Sequence, residues 1–238
     1  MSETPRRVVS LVPSLTESIA MTCPEVLVGA TDWCTHPADL AVTRLRGTKN
    51  PDLAGVLALE PDLVVVNTEE NRVDDIIALR AAGLAVWETD PETVPQALEQ
   101  LRSLLARLGA TRVDWLDEAD RVWSPLVTAI GRSALIPIWR RPWMALGRDT
   151  FAGDMLARLG INNVLANSTE RYPRIDLTSL PAYDLVVLPD EPYAFSASDG
   201  PDEFRTPVAL VSGRHLTWYG PSLTEAPGVL AEQLQAGH

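Results

Sequence analysis

The first apolar run of the chain, "VVSLV" (Val8–Val12), lasts five residues before Pro13 stops it. Three similar runs follow within ninety residues, at Leu27–Ala30, Leu63–Val66 and Leu84–Trp87. Each is short, rich in β-branched residues and bounded by polar or turn-forming residues, which is how strands buried on both faces read. Between them the apolar positions recur at helical spacing over Leu15–Met21, Leu53–Leu59 and Val73–Ala82. Ser14 and Thr16 offer N-caps to the first of these helices, and Gly83 a stop to the last. Strands alternating with helices predict a parallel sheet covered by helices on both faces.

The same grammar then returns. Ala134–Ile138, Leu185–Leu188 and Val208–Val211 are strand-like, while Phe151–Leu159 and Leu223–Leu234 are helical. One segment echoes another: "LAGVLALEPDLVVVNTEE" (53–70) and "LTSLPAYDLVVLPDEP" (177–192) each hold a short helical stretch, an acidic residue before Leu-Val-Val, and an acidic loop. Self-similarity of this kind predicts two lobes built on one plan. The intervening residues lack a strand pattern. Gln96–Leu108 reads as a helix ended by Gly109. In 112–130, Val113, Leu116, Ala119, Trp123, Leu126 and Ile130 recur at spacings of three and four. That is one apolar stripe on a helix of about five turns, with Pro125 as a point for a bend. Such a helix acts as a strut, permitting small rocking and resisting wide hinge closure. The expected organisation is an N-terminal α/β lobe (1–93), linking helices (94–131) and a C-terminal α/β lobe (132–238).

Composition narrows the partners. The 238 residues are 46% hydrophobic and 22% charged, as in an ordinary globular protein with room for one large or two small cores. A formal net charge of −12 argues against nucleic acid and anionic membranes, which reward clustered cations. No run approaches the roughly 18 apolar residues of a membrane span, so no membrane insertion is expected. The stretch after Arg6-Arg7 is shorter than the roughly 7–15 apolar residues of a secretory leader. Cys23, with Glu17 close behind it, is a poor lipid-attachment site. A cytoplasmic protein is therefore expected, or a periplasmic or cell-surface one if a leader has been removed. Two cysteines cannot build a disulfide framework.

"RVVSLVPSLTESI" (7–19), followed in order by "VLVGATDWCTHP" (26–37), "LEPDLVVV" (59–66), "GLAVWETD" (83–90) and the linking helix, resembles the helical-backbone metal receptors. These are the class III periplasmic substrate-binding proteins of cobalamin, haem and iron-siderophore importers. "TWYGPSLTEAPGVLAEQL" (217–234) is similar to the C-terminal aromatic loop and last helix of the cobalamin-binding branch. The resemblance implies two Rossmann-like α/β lobes joined by a long rigid backbone helix, with a ligand cleft between the lobes. It implies a non-enzymatic binding protein for a metal-bearing macrocycle or chelate, a corrinoid first, with haem or a ferric siderophore as alternatives. No cofactor is required. In the exported relatives an acidic residue on each lobe docks on arginines of the permease. The matching positions here are Ala54 and Thr178, which puts permease docking in doubt.

In open parallel sheets ligands sit outside the carboxyl ends of the strands, and in two facing lobes those ends bound a cleft. The first lobe offers Ser14, Leu15 and Thr16, then Thr31, Asp32, Trp33 and Cys34, then Asn67, Thr68, Glu69 and Glu70, and finally Glu88–Asp90. The second offers Trp139, Arg140, Arg141 and Trp143, then Asp190–Phe195 with Tyr193, then Arg214, His215, Trp218 and Tyr219. Trp87 and Trp139, flanked by strand residues, read as core packing. Trp33 and the loop pair Trp218-Tyr219 are the expected contacts to a flat ligand, because aromatic faces give large contact area. Arg140, Arg141, Arg148 and Arg214 would grip an anionic ligand's carboxylates. For each alone, pairing with Asp149, Asp190 or Glu191 is the stronger expectation.

"TDWCTHP" (31–37) places Cys34 and His36 one residue apart in a chain with two Cys and three His. On a continuing strand both would point the same way, as two metal ligands could. Zinc needs three or four protein ligands, and Cys23 and His215 lack the spacing to complete a set. A nucleophilic cysteine wants a base and an orienting group, and the chain carries no G-x-S-x-G, H-E-x-x-H or phosphate-cradling glycine loop. Packing comes first, an axial ligand to a corrinoid or haem metal second, and a thiol or metal hydrolase using Asp32 or Glu69 last.

Overall fold

The computed structural model describes residues 3–124 and 131–236. The chain forms two compact units. One takes the chain up to Asp90, with Ala97–Asp117 and Tyr219–Pro221; the other takes Pro91–Gln96, Glu118–Trp218 and the chain from Ser222 onward.

In the first unit the strands are β1 (Val8–Ser10), β2 (Leu27–Ala30), β3 (Thr43–Arg44), β6 (Leu63–Asn67) and β7 (Val86–Thr89), with a small antiparallel hairpin of β4 (Arg46–Gly47) and β5 (Asn50–Pro51). The five strands pair in parallel in the order β3-β2-β1-β6-β7, Val9 lying opposite both Gly29 and Val64. Strand alternation sorts the side chains. Val9, Val64 and Val66 share one face with Val56 of α2 (Leu53–Ala58) and with Ile76 and Leu79 of α3 (Val73–Ala81), all essentially solvent-free. Gly29 lets the leucines close over this strand: a Cβ there would stand 2.7 Å from Leu59 Cδ1, and the leucine would have to shift.

Helix α1 (Pro13–Thr22) starts at Pro13, the position where a missing N–H is harmless. Ser14 and Thr16 are therefore inside the helix and do not cap it. Thr16 Oγ1 and Ser18 Oγ donate to the carbonyls of Val12 and Ser14 one turn back. At the other end of α3, Gly83 has φ +85°, the left-handed stop expected of it.

The second unit is built on β8 (Arg132–Leu135), β11 (Ile161–Asn163), β12 (Leu185–Pro189) and β13 (Val208–Val211), parallel in the order β11-β8-β12-β13. The expected single strand over 134–138 is two: it breaks at Ile136, and Pro137 opens β9 (Pro137–Trp139), which pairs antiparallel with β10 (Met144–Ala145). Helices α6 (Phe151–Arg158), α7 (Gly213–Thr217) and α8 (Ala226–Ala236) complete it. The internal echo is half real. Both copies of Leu-Val-Val are central strands, but 177–184 is not helical, because Pro181 falls where α2 has its last turn.

Between these stretches of sequence run α4 (Val94–Arg107) and α5 (Asp114–Trp123). Leu116, Ala119 and Trp123 of α5 are buried, the stripe read from the sequence. Ten residues of the expected long helix are seen as helix; Pro125, Leu126 and Ile130 lie outside the described residues.

Candidate functional site

A parallel sheet binds ligands where the strand order reverses, because the loops leaving the two strands at that point diverge. In the second unit the reversal lies between β8 and β12. The β9–β10 hairpin that follows β8 and the loop that follows β12 bring an aromatic cluster together there. Trp139 meets Tyr193 edge-on at 5.6 Å, Trp143 lies parallel to Phe195 at 5.9 Å, and Tyr193 and Phe195 are 4.6 Å apart. Trp139 is 42% exposed. Its strand-like flanks predict packing, yet Arg140-Arg141-Pro142 after it forms a hairpin turn that leaves the indole at the surface.

Arg140 belongs to this cluster as a structural cation. Its guanidinium is buried, pairs with Asp199 and Glu203, and lies 5.5 Å from the Trp143 centroid. Tyr193 donates to the other oxygen of Asp199 at 2.6 Å. A guanidinium taken from water needs such partners, so ion pairing prevails over ligand contact, with different acids from those expected. Arg141 and Arg148 are exposed, and Arg148 pairs with Asp149 at 3.3 Å, one of the acids expected for it.

After β13, Ser212 caps α7. Trp218, half-buried at the end of α7, donates from Nε1 to Glu191 Oε2 at 3.1 Å and lies 5.8 Å from Arg214 Cζ. Arg214 pairs with Glu225 at 3.5 Å, and His215 Nε2 is 3.0 Å from the same carboxylate. That hydrogen bond from His215 is the main cause holding the Glu225 carboxyl below its usual range.

In the first unit the reversal lies between β1 and β6. Here most expected contacts face inward. Leu15 and Thr16 are fully buried and Ser14 nearly so. Asn67, buried at the end of β6, spends its whole side chain on the fold: Oδ1 accepts from the backbone of Glu69 and Glu70, and Nδ2 donates to Thr89 O at 3.0 Å and Tyr219 Oη at 2.9 Å. Asn71 ties the two diverging loops, donating to Leu11 O and Thr48 O. Tyr219, expected beside Trp218 at a ligand, is only 6% exposed and belongs to this unit. Burial holds its hydroxyl well above the usual phenol range. The accessible candidates are Asp32, Trp33 at 66% exposure, the half-buried Thr68 and Glu69, and the exposed Glu70, Glu88 and Asp90. The Trp33 indole rests beside Gly47, where a Cβ would come within 3.1 Å of Nε1.

Cys34 and His36 do not form a pair. Strand β2 ends at Ala30, and the chain turns, so Cys34 points inward and is fully buried. Its sulfur lies 3.0 Å from Thr16 Oγ1 and 3.1 Å from Thr31 Oγ1. Burial raises the thiol's pKa, against the lowering effect of those hydrogen bonds and of Arg44. His36 is half-buried, its Nδ1 3.2 Å from Thr35 Oγ1. Among the described residues no group of three or more His, Cys, Asp or Glu could hold a metal ion.

With both parallel sheets and their loop ends defined, the comparisons with known proteins agree on the class. A family model described as "Periplasmic binding protein" matches residues 8–188, and the chain belongs to that family. A vitamin B12-binding protein of Pectobacterium carotovorum is 22% identical over 258 residues, covering 98% of this chain and 89% of the relative. The periplasmic vitamin B12-binding protein of Vibrio cholerae superposes with a TM-score of 0.75 at 14% identity, over 98% of each chain. A periplasmic haem-binding protein solved with two haems gives a TM-score of 0.77 at 22% identity, over 97% of this chain and 98% of that one. The fold is thus the two-unit α/β fold expected from the resemblance. Both solved relatives are described as periplasmic, and the expected cytoplasmic location finds no support among them. No helix among the described residues is long and apolar enough to cross a membrane.

Proposed function

We propose that the chain is a non-enzymatic binding protein for a metal-bearing macrocycle, a corrinoid in first place. The observation that carries this reading is that each unit presents indoles on segments that follow its strands: the exposed Trp33 in the first unit, and the exposed Trp139 and half-buried Trp218 in the second. Broad apolar faces suit a flat, rigid ligand, and their burial contributes about 25 cal/mol per Å². The vitamin B12-binding relatives support the corrinoid, and the haem-binding neighbour supports haem as the second choice. The exposed Arg141 favours a ligand carrying carboxylates, which haem and many ferric siderophores do. A Cys34/His36 hydrolase is disfavoured by the inward thiol. Ala54 and Thr178 are both exposed and uncharged, so docking on a permease through acids at these positions is not part of the proposal. Isothermal titration with cobalamin, cobinamide and haem, with visible spectra of each mixture, tests the reading. Binding of one of them at about micromolar affinity or better is expected; if none binds, the macrocycle reading is wrong.

A further inference from the structure

The loop leaving β12 is locked onto α7. Gly213 N donates to Asp190 Oδ1 at 2.6 Å. A Cβ on Gly213 would stand 2.5 Å from Glu191 Cβ and 2.6 Å from Glu191 N, so the approach needs glycine. This lock carries the Glu191 carboxylate to the far end of α7, where Trp218 Nε1 donates to it. Arg214, one turn back on the same helix, lies 5.8 Å from the Trp218 centroid and is itself steadied by Glu225. The indole is thus held at its edge by an anion and near its ring by a cation. A tryptophan with neither would turn freely about two side-chain torsions and lose that freedom only on meeting a ligand.

We infer that Glu191 is a positioning residue that presets the Trp218 indole for ligand contact, with Arg214 as the second arm of the clamp. This rests on the reading of Trp218 as a ligand contact. An exposed hydrogen bond of this kind adds little to folding stability, because water competes for both partners. Its value lies in the orientation it selects.

Glu191→Gln keeps an oxygen that accepts the indole hydrogen, and Glu191→Met keeps the length without an acceptor. The protein is labelled with 5-fluorotryptophan, and the Trp218 fluorine signal is assigned by its loss in Trp218→Phe. Glu191→Met is expected to move or broaden that signal alone and to weaken cobalamin binding up to about tenfold, the cost of ordering one freely rotating side chain on binding. Glu191→Gln is expected to restore signal and affinity. In a Trp218→Ala background, Glu191→Met should have no further effect, since the residue acts through the indole. An unchanged fluorine signal in Glu191→Met, or equal weakening with and without Trp218, overturns the proposal. If Trp218→Ala binds cobalamin as the wild type does, the ligand-contact reading fails and the positioning role falls with it. If Trp218→Ala weakens binding while Glu191→Met leaves signal and affinity unchanged, only the positioning role fails.

Discussion

Tyr193 Oη stands 2.6 Å from Asp199 Oδ2, the carboxylate that also receives Arg140. The three residues come from the β9–β10 turn and the β12–β13 loop, so one guanidinium pins the loop that carries Tyr193 and Phe195. Arg140→Leu should cost about 2 kcal/mol of stability. Removing one partner of a buried pair costs about 3–5 kcal/mol, but Asp199 and Glu203 are partly exposed and recover some hydration. Urea denaturation measures it. An unchanged midpoint would mean the loop is held by its aromatic contacts alone.

The two thiols make a prediction about pH. Burial, followed by the nearby Glu25 charge, pushes Cys23 from the ordinary 9.0 to about 11, and Cys34 is raised as well. The folded state therefore keeps its protons where the unfolded state has lost them. For Cys23 that contribution to stability is complete below pH 9 and is lost as pH rises through about 11. Native protein at pH 8 should react with neither equivalent of a thiol reagent until it is unfolded. Rapid native labelling of Cys34 would refute its placement.

Cys34→Ser should leave the visible spectrum of any bound corrinoid or haem unchanged, because the sulfur points into the fold between Thr16 and Thr31. A shifted spectrum would place it on the metal.

Tyr219→Phe removes the hydroxyl shared by Asn67 and Thr89, whose separations from it are 2.9 and 2.8 Å. Leaving a buried amide donor without its partner costs about 1–3 kcal/mol. For a chain of this size that is a fall in Tm of about 2–4 °C per kcal/mol, read by scanning calorimetry. Wild-type stability in the variant would show that the phenol contributes only its ring.

Trp139→Ala should weaken ligand binding by about 2 kcal/mol, as aromatic anchors do, with little change in stability because the indole is 42% exposed. Titration beside the melting curve separates the two effects. A loss of stability without a loss of affinity would return Trp139 to packing.

How much of this the sequence disclosed depended on the range of the interaction. The central strands announced themselves because both faces are buried and every position is apolar, so Leu63–Val66 and Leu185–Leu188 were legible as strands. Gly83 was legible because a left-handed residue is a local requirement. The inward turn at Thr31–Cys34 was not, since it is set by Thr16, fifteen positions or more away in the chain, and by Arg44, which donates to the carbonyls of Thr31 and Cys34. Trp139 was misread because β9 ends at it; a strand's last residue can face water while its neighbours do not. Arg140 found Asp199 and Glu203, both some sixty residues on, where spacing offers no clue.

Because Tyr219–Pro221 belongs to the first unit, that unit has no genetic boundary. A fragment ending at Asp117 would present Asn67 and Thr89 to a hollow shaped for a phenol, and Gly220, which packs so tightly that a Cβ would meet Ser18 Oγ at 2.9 Å, would be missing with it. The halves of this molecule cannot be traded by recombination as separate cassettes: any exchange of the first must import Tyr219–Pro221, which the chain reaches only after the strands of the second.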